Sequence, residues 1–226
     1  MPGKIGQFIS QHVYDGKLRS SHAMNDYSCL AFVDVKDGEE RKNGTSWSNR
    51  AETQVIVDLV RLYYHDENFC VITPYDGQRS LLEQTFRDEG LPWENRIFNV
   101  DSFQGNEADY IIVSLVRSTG AGFMTSPHRV NVMLTRCEKG MIIVTRRDFL
   151  RVTNTGVTII GKLIEEWEKK RVPGKVWVDW KEVARGEVDL PGKVAPQEAL
   201  PRAVSEPQLE FSLGSVAAAW REVRSS

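Results

Sequence analysis

Two short runs carry side chains whose types and spacing suit work on a polyanion. Val100 to Glu107 reads Val-Asp-Ser-Phe-Gln-Gly-Asn-Glu, a glycine turn and a carboxylate at the end of a strand-like run. Arg129 to Arg136 reads Arg-Val-Asn-Val-Met-Leu-Thr-Arg, with an arginine at each end. In an α-helix, at about 100° per residue, seven steps make roughly 700°, so Arg129 and Arg136 are expected to point the same way to within about 20°. Two guanidinium forks on one helical face beside a backbone turn suit the phosphates of a nucleoside triphosphate. Each residue alone has a plainer reading. Gly105 fits any turn and Glu107 any exposed acid, and the arginines could be a solvated face or pair with Asp101 or Glu138.

The elements that must position these residues alternate. Apolar runs at Cys29–Val35, Phe69–Thr73, Ile97–Val100, Tyr110–Val116 and Met141–Thr145 read as buried strands. Asn49 opens a helix as N-cap with Glu52 at the third position, a capping-box-like start to Ala51, Val55, Ile56, Leu59, Val60 and Tyr63 at helical spacing. Gln78 to Glu89 is a second helix with Gly90 at its C-cap, and Ser126-Pro127 starts the arginine-bearing one. Ile159 to about Arg171 forms the last amphipathic helix. Fewer than a dozen residues separate Ile97–Val100 from Tyr110–Val116, which leaves their relative direction open. The pattern predicts an α/β fold with a mostly parallel sheet covered by helices on both faces. One domain over residues 1–171 is expected, then a Pro-interrupted, flexible tail over 172–226 with a short helix at Val216–Val223.

Composition narrows the classes. The 226 residues are 41% hydrophobic and 27% charged with a formal net charge of −2, which fits a packed core and excludes a globally basic nucleic-acid binder. A local basic cleft stays open, because binding follows the distribution of charge rather than its sum. Cys29, Cys70 and Cys137 are isolated and lack metal-ligand spacing. No apolar run reaches the roughly 18 residues that span a bilayer, so no membrane association is expected. The start, Met-Pro-Gly-Lys-Ile-Gly, has no secretory core, and the expected address is intracellular, cytoplasm or nucleus.

In open α/β sheets, ligands bind at the carboxyl ends of strands. Three segments lie there in order: Ile72 to Gln78 (ITPYDGQ), Val100 to Ser118 (VDSFQGNEADYIIVSLVRS) and Arg129 to Arg136 (RVNVMLTR). Together they resemble motifs IV, V and VI of superfamily 1B helicases, in the group that holds the nonsense-mediated-decay helicase and senataxin-like proteins. Ile5 to Leu18 and Ser46 to Thr53 are similar to further segments of that family, so the likeness covers roughly residues 1 to 150. It implies a second, C-terminal RecA-like motor domain with ATP lying between two such domains. Arg136 would be the arginine finger. Glu107 would accept from the ribose region, and Gly105 would let the backbone approach. Arg129 would support the phosphate side or orient motif V. Gln104 and Asp101 would belong to the nucleotide site or link it to the nucleic-acid track. Thr73, Pro74 and Ser102 would face single-stranded RNA or DNA.

The departures set the expected division of labour. A Walker A loop needs Gly-Lys followed by Ser or Thr. Here Gly-Lys at 3–4, 16–17, 161–162, 174–175 and 192–193 is followed by Ile, Leu, Leu, Val and Val. Asp66-Glu67 and Asp88-Glu89 sit at helix ends, not at a strand end as a Walker B pair would. Mg²⁺ and most of the phosphate are therefore expected on an N-terminal RecA-like domain, in cis or trans, and no metal site is expected here. The chain alone should hydrolyse little ATP. A non-enzymatic nucleic-acid or protein-binding module derived from a motor half is the alternative. An unrelated nucleotide enzyme would need a glycine-rich loop after the first strand, where Lys36-Asp37-Gly38-Glu39-Glu40 is acidic.

Overall fold

A computed structural model describes residues 1–19, 21–171 and 176–195. Helix α1 (Gly3–Val13) leads to strand β1 (Leu30–Asp34), a hairpin of β2 (Arg41–Asn43) and β3 (Ser46–Ser48), and α2 (Arg50–Leu59). Then come β4 (Phe69–Thr73), α3 (Asp76–Asp88), β5 (Ile97–Asn99), β6 (Ala108–Ser114), α4 (Pro127–Leu134) and β7 (Cys137–Thr145). Two short turns, α5 (Arg147–Leu150) and α6 (Thr153–Gly156), precede α7 (Ile159–Lys170), β8 (Trp177–Asp179) and α8 (Trp180–Ala184).

Six strands form one sheet in the order β5-β4-β6-β7-β1-β8, and every ladder in it is parallel. Near-continuous apolar strands fit this, since both faces are covered. Alternate residues serve opposite faces. Leu30, Phe32, Ile111, Val113, Met141 and Ile143 pack with α1, α4 and α7 on one side. Ala31, Val33, Ile112, Ile142 and Val144 pack with α2, α3 and α8 on the other. The direction left open for β5 and β6 resolves as parallel. They are not neighbours, because β4 lies between them, and the helix-free link of residues 100–107 returns from the C-terminal end of β5 to the N-terminal end of β6.

The helix starts follow their caps. Asn49 accepts from the Glu52 amide, Pro127 stands in the first turn of α4, and Gly90 takes a positive φ of 67°. The sheet continues past the boundary expected at residue 171. Val176-Trp177-Val178 is too short to show periodicity, yet it pairs with β1, buries both faces, and Trp177 donates to Glu168. The stretch assigned to a flexible tail thus contributes an edge strand and a helix with a complete capping box at Asp179 and Glu182. The helix expected at Val216–Val223 lies outside the described residues. The β2–β3 hairpin was also unforeseen. Gly44, at φ 60°, makes its tight turn.

Candidate functional site

The segments of interest divide between the two edges of the sheet: the loop after β4 and the start of the β5–β6 link lie at C-terminal strand ends as expected, whereas Gly105–Glu107 directly precede β6 and Arg136 directly precedes β7, which puts them at N-terminal ends. After β5 the chain turns sharply. Phe103 is buried against Phe98 at 4.8 Å and pins the turn, while Gln104, Gly105 and Glu107 stay exposed. Gly105 has φ 87° and an open surrounding, a conformation only glycine adopts without strain. The amide of Ala108 donates to the Arg136 carbonyl at 3.2 Å, which sets Arg136 directly beside the Gly105–Glu107 bend.

The expected shared helical face does not exist. Helix α4 ends at Leu134, Thr135 is its C-cap, and Arg136 lies in the link to β7, because the chain must straighten to pair with β6. Helical angles stop applying at the cap. Arg136 is half-buried and folds back so that its Nε donates to the Val132 carbonyl at 2.9 Å. No carboxylate pairs with it among the described residues, which leaves its terminal nitrogens for another acceptor. Arg129 is engaged instead. It grips Asp101 with both ends of its fork, Nε to Oδ1 at 2.9 Å and Nη2 to Oδ2 at 2.6 Å, and lies over Phe123. Arg129 therefore ties α4 to the β5–β6 turn rather than offering a free cation.

Thr73 and Pro74, expected to face nucleic acid, are buried, Thr73 completely. Strand β4 lies inside the sheet, and the β2–β3 hairpin covers the loop that follows it, with Ser46 Oγ accepting from the Gly77 amide at 3.0 Å. Neither offers a polymer any surface in this conformation. Ser102 is exposed, but its hydroxyl donates to the Asn99 carbonyl within its own turn.

A buried polar cluster braces the C-terminal edge. The Gln78 amide donates to Ser114 Oγ, Thr53 Oγ1 and the Asn49 carbonyl, and its oxygen accepts from the Asn49 amide. Glu52 therefore does not close the expected capping box. Its carboxylate turns inward and accepts from Ser114 Oγ at 2.6 Å and the Val116 amide at 2.9 Å. Burial pushes the Glu52 carboxyl up to about 8, against the lowering effect of those two donors. Val116 sits at φ 69°, rare for a β-branched residue. Next to it, Arg117 bonds Glu40 at 2.9 Å and lies over Trp47 at 4.3 Å. Burial alone would raise the Glu40 carboxyl, but hydrogen bonds from Arg117, Thr119 and Ser118 hold it below its ordinary value. Of the acidic run after β1, Glu40 is thus folded inward as a clamp, while Asp37 and Glu39 stay exposed. Polar residues at apolar helix positions, Gln78 and Glu52, were the signal available in the sequence.

A family model described as an AAA domain matches residues 1–148. The chain belongs to that family. It is the C-terminal domain of a superfamily 1 helicase. Similar proteins include a regulator of nonsense transcripts 1 homolog of Drosophila melanogaster, 35% identical over 64% of this chain and 14% of the relative. The ATP-dependent helicase upf1 of Schizosaccharomyces pombe is 34% identical over 62% of the chain and 18% of its own length. The ATP-dependent helicase NAM7 of Saccharomyces cerevisiae is 40% identical over 45% and 12%. The helicase domain thus matches a small part of each relative. Among the described residues no helix is long and apolar enough to cross a membrane.

Proposed function

We propose that this domain is the second half of an ATP-dependent RNA or DNA motor, working inside the cell with an N-terminal RecA-like domain that holds Mg²⁺ and most of the phosphate. One observation supports the reading: the Ala108–Arg136 backbone bond brings the backbone of Arg136, a residue with no carboxylate partner among the described residues, beside an open glycine turn and an exposed carboxylate. Nucleotide chemistry fits these residues. Glu107 is free to accept from ribose hydroxyls, Gly105 leaves room for close approach, and Gln104 is exposed beside them. Bound ATP would supply the scissile phosphoryl group. Arg136 would face its developing negative charge, with Val132 holding the Nε end of the fork. Arg129 acts by holding the β5–β6 turn through Asp101. Ser102, exposed on the same turn, is the remaining candidate for nucleic-acid contact.

The test joins the chain to an N-terminal RecA-like domain and measures nucleic-acid-stimulated hydrolysis. Arg136→Ala should lower turnover by on the order of 10³-fold while nucleotide affinity stays within a few-fold. The unjoined chain should show negligible turnover. Full activity of Arg136→Ala would remove that residue from catalysis, and robust hydrolysis by the chain alone would remove the two-lobe reading.

A further inference from the structure

We propose that Lys139 and Asp109 are positioning residues for Arg136: their ion pair pins a β-bulge at the start of the β6–β7 ladder and so fixes where Arg136 stands relative to Glu107. The proposal rests on the motor reading and names what holds Arg136 in place within it. The ladder begins with Ala108 opposite Cys137, and its next matched pair is Tyr110 opposite Gly140. Asp109 alone therefore faces two residues, Glu138 and Lys139, which is the count of a β-bulge. The pleat breaks there as well. Residues two apart in a regular strand share a face, yet Ala108 packs on the α1, α4 and α7 side and Tyr110 on the α2, α3 and α8 side. An extra residue of this kind re-aims the chain beside it. The chain it re-aims is the part that matters here, since Glu107 immediately precedes Ala108 and Arg136 immediately precedes Cys137.

A bulge leaves its extra residue outside the ladder, so other contacts must hold the register. Two are present. On the solvent side Lys139 Nζ donates to Asp109 Oδ2 at 2.7 Å, which joins the extra residue to the single one across from it. On the inner side Pro191 is buried against Gly140, where a Cβ would meet the Pro191 ring at 2.7 Å and the Tyr110 ring at 3.2 Å. Pro191 is itself held, because Tyr64 donates its hydroxyl to the Pro191 carbonyl at 3.0 Å and Lys193 pairs with Glu67. This inner contact comes from outside the residues 1–148 that the family model matches. With the register held, the Ala108 amide reaches the Arg136 carbonyl at 3.2 Å, and Arg136 Nε reaches the Val132 carbonyl at 2.9 Å. Arg136 has no carboxylate partner among the described residues, so its placement is inherited from the backbone that the bulge sets.

Hydrogen exchange in the full chain, followed by NMR at the Ala108 amide and the Arg136 Nε proton, tests this. Lys139→Ala and Asp109→Asn should each speed exchange at both sites by about two- to fivefold, the range an exposed ion pair supplies, while amides in the middle of β6 keep their rates. Lys139→Arg retains a cation for Asp109 and should stay within about twofold of the unaltered chain. Lys169→Ala removes the exposed Lys169–Glu165 pair of α7 and should move neither site. Unchanged exchange in Lys139→Ala, or an equal change in Lys169→Ala, overturns the proposal whatever the activity of the motor. The same variants are then joined to the N-terminal RecA-like domain. There Lys139→Ala should lower turnover by about three- to fivefold with nucleotide affinity within about twofold. Adding Asp109→Asn to Lys139→Ala should lower it no further, because both changes remove one interaction. Full turnover in Lys139→Ala, with Arg136→Ala inactive, overturns the positioning role alone. Full turnover in Arg136→Ala removes the motor reading and the positioning role with it.

Discussion

Glu52 shows how one side chain can couple stability to pH at the C-terminal edge of the sheet. Its folded carboxyl titrates near 8 against an ordinary 4.5, because burial disfavours the charged form more than Ser114 and Val116 favour it. The folded state therefore holds the proton more tightly than the unfolded chain does. The stabilisation is fully present below about pH 4.5 and is lost as pH rises through about 8. Urea unfolding of the protein should show stability falling across that window by up to about 1.4 kcal/mol per pH unit from this group. Glu52→Gln keeps the oxygen that accepts from Ser114 and Val116, though its new amide nitrogen replaces the oxygen that accepts from Asn49 Nδ2, and should flatten that part of the slope; an unaltered slope would assign the pH dependence elsewhere. Arg136 and Arg129 differ for a similarly local reason. Both were legible as arginines near a turn, but the carbonyl of Val132 and the carboxylate of Asp101 give them different work.

The link from β6 to α4 concentrates the strain and the anchoring. Val116 takes the left-handed region and buries its side chain fully, with its amide on Glu52. A left-handed β-branched residue costs on the order of 1–3 kcal/mol. Val113, one turn of pleat earlier in β6, is equally buried in ordinary strand geometry. Val113→Gly should therefore destabilise the protein by about 1–3 kcal/mol more than Val116→Gly, which regains the strain. Matching urea midpoints would show that the left-handed turn stores nothing. Most elements here were readable. Asn49, Ser126-Pro127 and Gly90 mark helix ends because caps act within one turn of chain. The β2–β3 hairpin and the end of α4 were not, since the first is held by Gly77 and Arg117 from distant loops and the second by the pairing of β7 with β6.

For the molecule as a whole, β8 closes the sheet. Trp177 and Val178 are nearly buried, one on each face, and β8 covers the β1 edge. A chain ending at Arg171 should lose roughly 2–5 kcal/mol and self-associate through the bared strand, by thermal unfolding and light scattering. A monomer with unchanged melting would restore the boundary expected from the sequence. Strand runs, helix caps, the α/β class and the motif order are written in residues close along the chain, because apolar alternation and capping are local effects. Which guanidinium stays free, which threonine is sealed from solvent and which cations face outward depend on partners dozens of residues away. Those choices arise only when the sheet sets its strand order and a few carboxylates and carbonyls claim their donors.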